Sequence, residues 1–138
     1  MPMGRKFSKK VGLSKSRSFV SRPRDKVIVL EDVTTTGNSL ANEVHKIFDS
    51  YAYNIDDSQI RIFGAIVLTD RCEYATDSTG NRYFIKEALA QFDVPYFSMS
   101  NAKELLPLAV EKYKPSSEVI RAIEQEYEEY GIEIIKLR

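Results

Sequence analysis

Cysteine and histidine are nearly absent from this sequence of 138 residues, which contains one of each. The single cysteine, Cys72, excludes an internal disulfide and fits a reducing compartment. No base lies near it in the sequence, so we interpret it as a small packing residue rather than a nucleophile. The single histidine, His45, has no metal-ligand or nucleophile partner at a matching spacing, so we interpret it as a residue at the core boundary.

Long apolar runs are absent too, and no stretch reaches the length that crosses a bilayer. The N-terminus is basic but has neither an apolar h-region nor a small-residue cleavage site, so it does not indicate a secretory signal. The length favours one domain, and an apolar content of 43% is enough for a core. We therefore expect a cytoplasmic protein with no membrane partner.

The net charge is zero, but the charges are unevenly distributed. Residues 1–26 contain nine of the 20 Lys and Arg residues and one of the 20 acids, a net charge of +8. The remaining 11 basic and 19 acidic residues give residues 27–138 a net charge of −8. A basic segment on an acidic body indicates a polyanionic ligand. We predict a basic mobile loop or arm over 1–26, whose alternative is a disordered tail, and an α/β domain over 27–138.

The stretch from Val27 to Ser39 predicts a strand, a loop and the start of a helix. Its first four residues are apolar and three are β-branched, which is typical of a strand buried on both faces. Glu31 and Asp32 follow at the carboxyl end of that strand, where open α/β sheets bind ligands. Backbone N–H groups at the start of the next helix suit a phosphate. The stretch therefore predicts a sugar-phosphate site with an acid pair beside it.

A second strand is predicted from Ile60 to Leu68, followed by Thr69, Asp70 and Arg71. A charged pair in this position lies on the ligand side of a parallel sheet. A salt bridge or a helix cap explains the pair equally well.

The rest of the chain alternates helices and strands, which predicts an α/β fold with a Rossmann-like, mostly parallel sheet flanked by helices. The first predicted helix is capped by Asn38 or Ser39 and has a core stripe of Leu40, Val44, Ile47 and Phe48. An exposed polar loop is predicted from Glu73 to Arg82, followed by a helix over Tyr83–Phe92 and a strand over Val94–Met99. The last predicted elements are a helix capped by Ser100 or Asn101, a helix after Pro115 and a closing strand over Ile132–Leu137.

Three segments together resemble a known family. The apolar run with Glu31-Asp32 and Thr35-Thr36-Gly37 is similar to the signature of type I phosphoribosyltransferases, and the flanking segments resemble orotate phosphoribosyltransferase most closely. The catalytic loop of that family has the pattern Arg-Lys-x-x-Lys-x-His-Gly. Its matches here are Arg5, Lys6, Lys9 and Gly12, with Val11 in the place of the histidine. Arg71 matches the arginine of an Asp-Arg pair in the family.

The resemblance implies transfer of ribose 5-phosphate from phosphoribosyl pyrophosphate to orotate, giving orotidine monophosphate and pyrophosphate. It implies Mg²⁺ bound through the substrate, with no direct protein ligand to the metal. The implied catalytic residues are Lys9, Glu31 and Asp32. The implied phosphoribosyl pyrophosphate and phosphate ligands are Arg5, Lys6, Thr35, Thr36, Gly37, Asn38 and Ser39. Arg71 would bind orotate, since its planar fork suits a carboxylate.

The family has an N-terminal half before the basic loop, whereas four residues precede Arg5 here. The chain would correspond to an N-terminally truncated fold, which favours a homodimer or a partner chain that supplies missing elements. Two alternatives remain, a non-catalytic phosphoribosyl- or nucleotide-binding module and a phosphoribosyltransferase for another base. Nucleic-acid binding by the basic segment ranks last, because Phe7 and Phe19 are its only aromatic residues.

Overall fold

The computed structural model describes residues 25–52, 60–77 and 79–137. Its elements are β1 (Lys26–Thr34), α1 (Asn38–Ala52), β2 (Arg61–Asp70), β3 (Ala75–Thr76), β4 (Arg82–Tyr83), α2 (Ile85–Ala90), β5 (Tyr96–Asn101), α3 (Ala102–Tyr113) and α4 (Ser117–Glu129). No helix within these ranges is both long and apolar enough to cross a membrane. Residues 1–24 lie outside the described part, so the domain boundary after residue 26 stays a prediction.

The main sheet contains three parallel strands in the order β1-β2-β5. Parallel neighbours need long crossover connections, and α1 supplies the one between β1 and β2. The β3–β4 hairpin and α2 lie in the connection between β2 and β5. The predicted α/β fold with a parallel sheet flanked by helices is confirmed, and the carboxyl ends of its strands lie at one edge.

One face of the sheet packs against α1 and α2. The predicted stripe of α1 is confirmed at Leu40, Val44 and Ile47, which are buried. These residues pack with apolar residues of β1, β2 and α2. The buried core contains Val29, Leu40, Val44, Ile47, Ile62, Ala65, Val67, Ile85, Leu89 and Val94. Phe48 lies at the margin of this core, where its ring stacks on Phe92 at 5.3 Å between centroids. His45 is exposed and packs edge-on against Phe92, as expected for a boundary residue.

The opposite face of the sheet is largely exposed, so the prediction of strands buried on both faces is wrong for this chain. On β1, Ile28 is 54% exposed and Leu30 is 59% exposed. The apolar run predicted a two-sided burial because both faces carry apolar side chains. Among the described residues, however, α1 and α2 pack on the same face.

Two further predictions differ from the structure because contacts with distant residues override local pattern. The loop predicted over Glu73–Arg82 is exposed at its described residues from Thr76 onward, so that prediction is wrong only in its first part. Within the stretch predicted as an exposed loop, Glu73 is buried and pairs with Gly131 in a β-bridge, and β3 pairs with β4. The closing strand is absent from the described part of residues 132–137. Ile135 is instead buried in a second cluster with Ala102 and Tyr127.

The helix caps agree with the sequence. The Asn101 side chain accepts a hydrogen bond from the backbone N–H of Glu104 at 3.0 Å, and α3 begins directly after it. Ser116 accepts from the backbone N–H of Val119 at the start of α4. At the first helix the prediction was off by a residue or two, since α1 begins at Asn38 and includes both proposed caps.

Candidate functional site

The acid pair lies inside β1 rather than after it, because the strand continues to Thr34. Side chains alternate along a strand, so Glu31 and Asp32 point to opposite sides of the sheet. The two carboxylates therefore have different surroundings. The sequence pattern presents them as one acid pair, whereas in the structure they have different hydrogen-bond partners.

Glu31 connects the strand to the loop that follows it. One of its carboxylate oxygens accepts a hydrogen bond from the Thr34 hydroxyl at 3.0 Å, and the other accepts one from the Ser39 hydroxyl. Thr34 is buried, and its carbonyl oxygen accepts from the backbone N–H of Arg71 at 2.8 Å. Glu31 thus holds the loop and the start of α1 close to the strand end.

Asp32 is exposed at the same end of β1. One carboxylate oxygen accepts from the backbone N–H of the next residue, Val33, at 2.8 Å. This bond orients the side chain without burying it. Asp32 is therefore the member of the pair whose carboxylate faces solvent, where it can reach a ligand hydroxyl or a cation.

The loop of Thr35, Thr36 and Gly37 turns sharply into α1. Gly37 has φ +79°, and a Cβ atom there would lie 2.5 Å from Cβ of Ile85. Both the backbone conformation and the contact with α2 require glycine at this position. The Gly37 carbonyl accepts the first helical bond, from the backbone N–H of Ala41 at 2.9 Å. The loop backbone is thereby held against the start of α1.

The start of α1 is suited to an anion. Its first turn contains no acidic residue, and the N–H groups of a helix N-terminus carry partial positive charge. The Asn38 side-chain oxygen accepts a hydrogen bond from the Tyr83 hydroxyl at 2.7 Å. Tyr83, on the β3–β4 hairpin, was not among the candidate residues, because its contact with Asn38 joins positions 45 residues apart. The sequence signal near Tyr83 is the turn motif Ser78-Thr79-Gly80-Asn81, which predicts a turn just before it.

Asp70 is the last residue of β2. It is buried, and its carboxylate accepts from the backbone N–H of Cys72 at 2.7 Å. Burial raises the pKa of the Tyr96 phenol, and the negative charge of nearby Asp70 raises it further. Burial and Asp70 also raise the pKa of the Cys72 thiol, which supports the interpretation of Cys72 as a packing residue.

Arg71 is engaged by two carboxylates. Its guanidinium lies 2.5 Å from the Glu73 carboxylate and 3.6 Å from that of Glu126 on α4. Its carbonyl oxygen accepts from the Tyr127 hydroxyl at 2.8 Å. The salt-bridge alternative weighed for Arg71 is therefore present in this structure. Glu126 is exposed and is the more distant of the two carboxylates.

A cavity of about 510 Å³ lies beside Arg71, between α3 and α4. Its walls are mostly apolar, with Thr69, Arg71 and Glu126 as the polar contributors. An apolar cavity with a few polar groups at its edge is a common form of small-molecule site.

Glu73 gives a prediction about pH. Burial raises its pKa above the ordinary value of 4.5, while Arg71 acts in the opposite direction. Because the folded-state pKa is the higher one, its favourable contribution to folding is complete below the unfolded pKa and is lost as pH rises through the folded pKa. We expect the melting temperature of Glu73→Gln, measured by circular dichroism, to increase relative to that of the wild type as the pH rises from 4 to 7. Glu128→Gln, an exposed partner of Lys136, is the control. An equal difference at both pH values would contradict the prediction.

The three basic residues Arg5, Lys6 and Lys9 lie outside the described residues, and their roles stay predictions. The described residues contain no group of three or more His, Cys, Asp or Glu side chains that could hold a metal ion. The structure thus brings Glu31, the Thr35–Ser39 loop and the start of α1 together, with Asp32 exposed beside them. It places Arg71 at the next strand end, in contact with α4.

Solved structures share this fold, among them two orotate phosphoribosyltransferases. The orotate phosphoribosyltransferase of Mycobacterium tuberculosis H37Rv matches with a TM-score of 0.52 and 24% identity, over 75% of this chain and 49% of that one. The orotate phosphoribosyltransferase of Francisella tularensis matches with a TM-score of 0.52 and 23% identity, over 83% of this chain and 52% of that one. This chain spans about half the length of either protein. No protein-family model matches it, and a search of curated proteins gives no match.

Proposed function

We propose that this chain carries the phosphoribosyl pyrophosphate site of a type I phosphoribosyltransferase whose acceptor is orotate. The observation that carries the proposal is the unit from Glu31 to Ser39, in which an acidic strand end is bonded to a glycine loop at a helix N-terminus. The shared fold with two orotate phosphoribosyltransferases supports it.

The 5′-phosphate would bind the backbone N–H groups of the Thr35–Ser39 loop at the start of α1. Glu31 would hold that loop in place through Ser39. Asp32 would accept hydrogen bonds from the ribose hydroxyls and favour positive charge that develops on the ring during displacement. Lys9, with Arg5 and Lys6, would stabilise the leaving pyrophosphate.

A magnesium ion fits this arrangement. Mg²⁺ keeps several waters and is bound largely through substrate phosphates, so the ion would enter with phosphoribosyl pyrophosphate and take no direct protein ligand. Asp32, exposed at the strand end, adds negative charge that favours the cation. When bound, the ion would neutralise charge on the pyrophosphate. The chain itself orients the ribose and the 5′-phosphate.

The acceptor would lie near Arg71. Its guanidinium is shared by Glu73 and Glu126, so the orotate carboxylate would replace Glu126 and leave the buried Glu73 contact intact. An acceptor without a carboxylate would not need this exchange. Comparison of orotate with uracil and adenine therefore tests the base assignment separately from the phosphoribosyl site.

The test is to incubate the folded chain with phosphoribosyl pyrophosphate, Mg²⁺ and each base, and to follow nucleotide formation by liquid chromatography. Orotidine monophosphate from orotate alone supports the proposal in full. Product from another base alone would support phosphoribosyltransferase activity and would reject orotate as the acceptor. The absence of both turnover and phosphoribosyl pyrophosphate binding by calorimetry rejects the function.

A second candidate is a non-catalytic phosphoribosyl-binding module. The observation that favours it is that Arg71, the proposed acceptor ligand, is already held by Glu73 and Glu126. Calorimetric binding of phosphoribosyl pyrophosphate without turnover of any base would select this candidate over the first.

A further inference from the structure

One side of the main sheet exposes a continuous set of large apolar side chains, here named the open sheet face. Leu30, Ile66 and Phe97 are in register on three adjacent strands, so they share one side. The Phe97 ring also lies within van der Waals distance of the position that a Cβ of Gly64 would occupy. The most exposed members are Ile28, Leu30, Phe63, Leu68, Phe97 and Met99, between 45% and 73% exposed.

A parallel sheet is ordinarily covered on both faces. Here α1 and α2 pack on the side of Val29 and Val67, and the open sheet face keeps its exposure within the described part of the chain. Exposed contiguous apolar surface of this size marks an interaction site on a soluble protein.

The area of the open sheet face suits a stable protein–protein contact. If a large side chain offers roughly 200 Å², the six residues expose on the order of 700 Å² per copy. A standard interface buries about 800 Å² on each partner. The open sheet face therefore supplies the apolar centre of such an interface without added elements.

The charges at the two ends of the open sheet face are opposite. At the amino end, Lys26 and Arg61 lie over the Phe63 ring, at 5.2 and 5.3 Å from its centroid. At the carboxyl end, the exposed Asp32 follows Leu30 on the same side of β1. Two copies stacked with parallel strands would bring the cations together. Antiparallel stacking sets the cations of each copy toward the acidic end of the other.

The charge of the whole chain favours self-association as well. Residues 1–26 carry +8 and residues 27–138 carry −8, and the sum is zero at pH 7. A chain of zero net charge has no long-range repulsion between copies, and its two parts attract their counterparts.

We propose that the open sheet face is the site where a second copy of this chain docks, face to face and with antiparallel strands. The docking surface shares Asp32 with the proposed phosphoribosyl site, but the proposal does not rest on that function, because it is argued from the apolar face and the charges alone.

The experiment is sedimentation velocity of the full chain between 1 and 100 µM. We expect a dimer whose dissociation constant rises about 100-fold in Leu30→Asp, since a buried unpaired carboxylate opposes association. Met99→Asp, at the side chain that is 73% exposed, should act in the same direction with little effect on the monomer fold. Leu108→Asp, at an α3 residue that is 60% exposed, is the matched control and should leave the dimer intact.

Circular dichroism establishes that each variant is folded. A wild-type monomer at 100 µM that binds a hydrophobic dye would overturn the proposal, since the face would then be open to a different occupant. A dimer that survives both face substitutions would overturn it too, because the contact would lie elsewhere.

Discussion

Gly37→Ala should destabilise the fold by about 3 kcal/mol and abolish measurable binding of phosphoribosyl pyrophosphate. A side chain at φ +79° costs roughly 1–2 kcal/mol, because an L-residue disfavours the left-handed region. The added methyl would also lie 2.5 Å from Cβ of Ile85, and overpacking a fitted contact costs about 1–3 kcal/mol. Cβ of Ile85 is fixed to the α2 backbone and cannot rotate away. Urea unfolding followed by circular dichroism measures the first effect, and calorimetry measures the second.

Gly80→Ala separates the two contributions. Gly80 also has a positive φ, +87°, but no heavy atom lies within 4 Å of the position its Cβ would take. Its substitution should cost about 1 kcal/mol, from backbone conformation alone. Equal losses in the two variants would show that the contact between the loop and α2 contributes nothing.

Asp32→Asn should lower kcat for phosphoribosyl transfer by about 100-fold, the order of magnitude seen when one electrostatic contact to a transition state is removed. Asp32 is exposed and bonds to the N–H of Val33, so stability should change by less than about 0.5 kcal/mol. The neutral amide keeps the shape of the side chain and removes the charge that would favour an oxocarbenium-like ring. Initial rates over a range of phosphoribosyl pyrophosphate concentrations separate kcat from KM.

Glu31→Gln and Asp49→Asn are the comparisons for Asp32. Because Glu31 bonds to Thr34 and Ser39, its substitution should loosen the loop and raise KM as well as lower stability. Asp49 is an exposed residue of α1, and its substitution should leave both constants unchanged. A loss in kcat of equal size for Asp32→Asn and Asp49→Asn would contradict a role for Asp32 at the reaction centre.

Much of the fold followed from local pattern. The stripe of Leu40, Val44 and Ile47 predicted α1 and its buried side, since helical spacing fixes which residues share a face. The pair Ser100 and Asn101 predicted the start of α3, and Pro115 with the serines after it predicted the start of α4, since a cap needs contact with residues two or three positions away. The apolar runs predicted the strands of a parallel sheet, although β1 and β2 extend beyond them and include Glu31, Asp32 and Asp70.

The candidate site was predictable in its residue types but not in its pairings. The Thr-Thr-Gly loop and the acids beside it were visible in one stretch of chain. The distance from Glu73 to Arg71 is short in sequence too, yet burial of Glu73 depends on its bridge to Gly131. No local pattern contains that information.

By itself, the sequence determined the order of strands and helices, the position of the acid pair before a glycine loop, and the division of charge between residues 1–26 and 27–138. These properties depend on neighbours along the chain. Only the tertiary structure decided that Glu31 binds the loop while Asp32 faces solvent, that Arg71 is held by Glu73 and Glu126, and that one face of the sheet stays open among the described residues. Each of those depends on which distant elements pack together, and packing is a property of the whole chain.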